Sequence, residues 1–64
     1  MHYSDILAKF LMMFPMYQET ICQWQPREKN TIRVTTSNRL TLDFTYHNDT
    51  EWTLTAVNPR NRRI

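Results

Sequence analysis

Three stretches of this chain alternate apolar and polar residues almost without a break: Thr31-Ile32-Arg33-Val34-Thr35, Leu40-Thr41-Leu42-Asp43-Phe44-Thr45-Tyr46 and Trp52-Thr53-Leu54-Thr55-Ala56. A period of two gives each stretch one face for a core and one for water. The pattern predicts antiparallel strands covered on one side only. Upstream, Tyr3, Ile6, Leu7, Phe10, Leu11 and Phe14 recur at three- and four-residue steps and form one apolar stripe. That spacing predicts a helix over residues 4–14, capped by Ser4 and Asp5, with Lys9 opposite the stripe. Pro15 stops it, because the residue before a proline is pushed out of the α region.

Residues 16–25 fit two templates. Tyr17, Ile21 and Trp24 make a helical stripe with Pro15 at its first position, whereas Thr20, Cys22 and Trp24 make one face of a strand. The β-branched and aromatic content favours a strand over about 19–25. Residues 26–30 are polar and read as a loop.

The connections follow from parity. A three-residue loop Ser37-Asn38-Arg39, with Asn38 or Arg39 at positive φ, sets Val34 against Leu42 and Ile32 against Phe44 on the core side. It sets Arg33 against Asp43, Thr35 against Thr41 and Thr31 against Thr45 on the water side, and such pairs are favourable. A two-residue loop would put Val34 against Thr41 and is rejected. With Asn48-Asp49-Thr50 as the next loop, His47 faces Glu51, Tyr46 faces Trp52 and Phe44 faces Leu54.

The expected fold is α+β: one N-terminal amphipathic helix packed on one face of a three- or four-stranded antiparallel β-meander. The stripe covers Ile32, Val34, Leu42, Phe44, Trp52 and Leu54. Residues 1–58 form a single domain, Asn58-Pro59 ends the last strand, and residues 59–64 form a basic, flexible tail.

Composition narrows the chemistry. The 64 residues include no glycine, which excludes glycine-rich phosphate loops and dinucleotide fingerprints. A domain this small buries only about 60% of its unfolded surface, so a partner or self-association is a natural source of extra stability. The single Cys22 allows no internal disulfide and reads as a buried core cysteine. The apolar run from Phe10 to Met16 is too short to span a bilayer and lacks the flanks of a signal peptide. Asn48-Asp49-Thr50 matches a glycosylation sequon, which carries no weight without a secretory route. The expected compartment is the cytoplasm, with no membrane partner.

Catalytic and metal chemistry find little support. His47, Asp49 and Glu51 alternate across a turn, and two residues on one hairpin face plus one at its tip rarely close around an ion. Cys22 with His47 or His2 as base has no local oxyanion site. The carboxylates form no acid–base dyad, and Asp43 already has Arg33. The expectation is a non-enzymatic chain without cofactor or metal.

The candidate partner-binding residues are Met12, Met13 and Met16, beside the main stripe, and Arg33, Arg39, Arg60, Arg62 and Arg63. Thioether side chains adapt to a partner surface, and arginine suits phosphate or carboxylate. The Thr-rich outer face offers hydrogen bonds, while Phe44, Tyr46 and Trp52 share core parity and so are not available for base stacking. With a net charge of only +2, the leading expectation is a protein-binding module, a small adaptor or inhibitor that occludes a site on a larger protein or nucleoprotein complex. Compact cofactor-free chains of this size are common among phage and plasmid accessory proteins that block host defence, CRISPR systems included, and that likeness is one of size alone. The runner-up is a nucleic-acid binder using the Arg-rich tail, and the third expectation is a homodimer joined through a sheet edge.

Overall fold

The computed structural model describes residues 2–57. Asn58-Pro59 and the basic tail with Arg60, Arg62 and Arg63 lie outside the described residues. Helix α1 (Tyr3–Met13) is followed by a single 3-10 turn at Pro15–Tyr17 and four strands, β1 (Ile21–Pro26), β2 (Thr31–Thr36), β3 (Thr41–Asn48) and β4 (Glu51–Ala56). The strands form one antiparallel sheet in the order β1-β2-β3-β4. The α+β meander is therefore four-stranded, with the helix across one face.

Helix α1 begins one residue earlier than the capping pattern suggests. His2 occupies the N-cap without a side-chain bond, and its carbonyl accepts from the Asp5 and Ile6 amides at 3.0 and 3.2 Å. Ser4 and Asp5 sit inside the first turn, because Tyr3 joins the stripe and packs against the core. The C-terminal stop falls where expected. Phe14 leaves the α region at φ −131°, ψ 66°, ahead of Pro15.

The core is the meeting of that stripe with even-numbered strand residues. Ile6, Phe10, Ile32, Val34 and Phe44 are fully buried, with Leu42 and Tyr46 nearly so. Phe10 meets Phe44 edge-on at 5.4 Å between ring centroids and stacks on Tyr17 at 5.5 Å. Phe14 meets Phe44 and Trp52 edge-on at 6.2 and 5.5 Å. These are favoured aromatic geometries, each worth about 0.5–1.5 kcal/mol beyond the area buried.

The β2–β3 pairing has the register the parity demands: Ile32 with Phe44, Val34 with Leu42, Arg33 with Asp43. The glycine-free turn puts Arg39 at φ 70°. Thr36 holds the turn closed, its hydroxyl bonding to Asn38 and accepting the Leu40 amide at 3.1 Å. Any side chain with a Cβ costs roughly 1 kcal/mol in the left-handed region. Arg39→Gly is therefore expected to raise stability by up to about 1 kcal/mol, read as a higher urea midpoint at unchanged m-value.

Two bulges depart from simple alternation. In β1 the register shifts between Ile21 and Gln23, so Cys22 is the extra residue and is exposed rather than buried. The bulge turns both Ile21 and Trp24 toward the core, which unbroken alternation cannot do. In β3 the register shifts between Tyr46 and Asn48, so Glu51 faces Asn48 and not His47. Asn48 Nδ2 donates to Glu51 at 3.0 Å, while His47 Nδ1 lies 3.4 Å from Asn30 Nδ2.

Candidate functional site

Helix α1 crosses the sheet rather than covering it all. Its start is tied to the β1–β2 loop, where the Tyr3 hydroxyl lies 3.5 Å from the Glu28 carbonyl. Its middle meets the β3–β4 turn through Lys9, and its end meets β4 through Phe14. Only this last contact reaches Trp52, which keeps 38% of its surface exposed. Trp52 has core parity, as expected, but it stands on an edge strand at the limit of the cover. Leu54 is half-buried and Ala56 is exposed beside it.

Met12 and Met16 are the other large apolar side chains left open among the described residues, at 73% and 65% exposure. They stand two residues on either side of Phe14, whose ring touches Trp52. Met13 differs, because it packs against the core. The three methionines named from the sequence thus divide into two open ones and one that seals the core rim.

The expected arginine surface divides as well. Arg33 is committed to Asp43 through paired bonds of 2.7 and 3.1 Å. The Arg33 guanidinium holds the Asp43 carboxyl below its usual range. Arg39 is exposed on the β2–β3 turn. Arg60, Arg62 and Arg63 lie outside the described residues.

At the middle of α1, Lys9 does not point to solvent opposite the stripe. It lies half-buried, 3.5 Å from Asp49 and 5.7 Å from the Tyr46 ring centroid. The Tyr46 hydroxyl donates to Asp49 and, with Lys9, holds that carboxylate below its ordinary range. His47, Asp49 and Glu51 each have a different partner, and no metal-holding group of three His, Cys, Asp or Glu exists among the described residues.

Both lowered carboxylates are more acidic folded than their ordinary value of 3.8. Their charged forms stabilise the fold above that value, and this contribution is lost as pH falls through their folded pKa. Stability is expected to hold at neutral pH and to drop below pH 3.8. Asp43→Asn should lower stability at neutral pH and flatten the acid limb, as urea midpoints measured from neutral to strongly acidic pH will show.

The outer sheet face carries Gln23, Gln25, Arg33, Thr35, Thr41, Asp43, Thr45, Thr53 and Thr55. Thr31 shares its parity yet is buried, its hydroxyl held by Thr45 at 2.8 Å and by the Lys29 carbonyl at 3.2 Å. A shallow depression of about 90 Å³ opens among Gln23, Trp24, Gln25, Arg33 and Thr35. Ligand pockets commonly measure about 300 Å³ or more. Among the described residues no helix is long and apolar enough to cross a membrane. Compared with protein-family models, curated proteins and solved structures, the chain matches none.

Proposed function

We propose that this chain is a non-enzymatic protein-binding module, a small adaptor or inhibitor that occludes an apolar cleft on a larger protein. The observation that carries this is the exposure of Met12 and Met16, two residues before and after Phe14 along the chain, together with the partly exposed Trp52 that Phe14 touches. Removing such side chains from water is favourable by about 25 cal/mol per Å². Unbranched thioethers adjust to an uneven cleft, and a tryptophan adds a rigid anchor. Charge supports the same reading, since Arg33 is neutralised by Asp43 and the sheet face is hydroxyl- and amide-rich rather than cationic. The reading sits naturally in a reducing compartment, where the exposed thiol of Cys22 stays free.

Affinity capture from host lysate, with and without nuclease, tests it. A stoichiometric protein partner is expected to remain after nuclease and at raised salt. Capture that disappears on nuclease treatment and falls steeply with salt would assign the chain to nucleic acid instead.

A further inference from the structure

The two edges of the sheet are not equivalent. Bonded pairs alternate along an antiparallel ladder, so one bond fixes which residues point outward. On the β1 side the Arg27 amide bonds the Thr31 carbonyl, which in this register turns Gln23 and Gln25 toward β2. The outward positions are then Trp24 and Pro26, beside the Cys22 bulge. A proline and a bulge both obstruct strand addition. On the β4 side the Val57 amide bonds the Thr41 carbonyl at 2.8 Å, which turns Thr53 and Thr55 toward β3. Trp52, Leu54 and Ala56 then direct their amides and carbonyls away from the sheet. β4 contains neither proline nor bulge, and Glu51 is its only charge.

We infer that β4 pairs with β4 of a second copy of this chain, antiparallel about a two-fold axis at Leu54. In this register Leu54 faces Leu54 and Trp52 faces Ala56 on the apolar side, a large ring beside a small side chain. Thr53 faces Thr55 on the polar side. Glu51 faces Val57, so the one charge of the strand never meets itself. All three outward residues bond, giving about six new backbone hydrogen bonds, two for each facing pair. Shifting the register by two residues in either direction loses one of these pairs within the strand. The pairing also covers Trp52, Leu54 and Ala56, which α1 leaves incompletely sealed. The strand is short and the interface falls below the about 1,200 Å² of stable complexes, so the dimer is a weak, reversible one. Met12 and Met16 belong to α1 and the 3-10 turn and contribute none of the paired β4 positions.

Sedimentation equilibrium of the full chain is expected to show monomer at about 1 µM and dimer at about 1 mM, the range of a small interface. Ala56→Pro removes an outward amide without touching the bonds to β3, and should raise the dissociation constant by at least about tenfold. In a Cys22→Ser background, mixing Thr53→Cys chains with Thr55→Cys chains and adding a two-electron thiol oxidant such as diamide should give a mixed disulfide faster than either chain forms with itself. Both positions are exposed, so these variants keep the fold. A chain that stays monomeric at 1 mM, or Thr53→Cys coupling to itself fastest, would overturn the assignment. The Met12→Glu, Met16→Glu double variant should dimerise normally, which separates a failed dimer from a failed protein-binding site.

Discussion

Replacing Phe44 by alanine is expected to unfold the protein. Phe44 is fully buried and its ring contacts those of Phe10, Phe14, Tyr46 and Trp52. It is the residue through which the helix, β3 and β4 are joined. Truncating a buried phenylalanine costs about 3–5 kcal/mol, and a domain of this length has a total stability of roughly 3–10 kcal/mol. Among the described residues the buried apolar side chains all belong to one group, so the core has no second cluster to fall back on. Far-UV circular dichroism should show loss of structure at room temperature, or at the least a urea midpoint moved close to zero. Thr45→Ala, one residue along and facing the other way, loses only the Thr31 hydroxyl contact. A change of about 1 kcal/mol is expected there. Equal sensitivity at 44 and 45 would contradict the inward–outward assignment.

The second large effect concerns binding rather than folding. Met12→Glu and Met16→Glu together are expected to weaken the proposed protein complex by at least about 100-fold, the combined loss typical of central interface side chains. Stability should move by no more than about 0.5 kcal/mol for each, as for other surface substitutions. Titration calorimetry with the captured partner reads the affinity, and urea denaturation reads the fold. Met13→Glu is the contrasting variant. Met13 packs against the core, so its replacement should destabilise the fold. Undiminished affinity in the double variant would move the docking surface elsewhere.

Much of the fold was legible because two strands of opposite charge pattern meet across a turn of fixed length. Arg33 opposite Asp43, and Thr35 opposite Thr41, specify one register and exclude its neighbours. The helix was equally plain over 4–14, with Pro15 as its stop, and only its start lies one residue earlier. What escaped the sequence was local insertion. A bulge adds one residue without any compositional mark, so Cys22 took the parity of Thr20 and Trp24 when the chain in fact breaks step there. The bulge at His47 hid in the same way, since either Asn48 or His47 satisfies Glu51 with a polar neighbour. Helical spacing gives the direction of Lys9 on its own helix and says nothing of the Asp49 turn beside it, which is what half-buries the side chain.

The candidate site was half legible. Met12 and Met16 stand out as apolar residues off the stripe, but periodicity does not separate them from Met13, which is partly buried against the core. Trp52 was assigned to the right face and to the wrong degree of cover. Parity decides which side of a sheet a residue occupies, whereas exposure depends on how far the helix reaches, and α1 arrives at β4 only with Phe14.

Hydroxyl-radical footprinting with mass spectrometry, each residue scaled to its own rate in the unfolded chain, bears most directly on the whole picture. Met12 and Met16 should oxidise at rates approaching those of the unfolded chain and Trp52 at an intermediate rate, while Phe10, Phe44 and Tyr46 are strongly protected. Protection of Met12 and Met16 in the dilute monomer, together with rapid labelling of Phe44 and Tyr46, would contradict it.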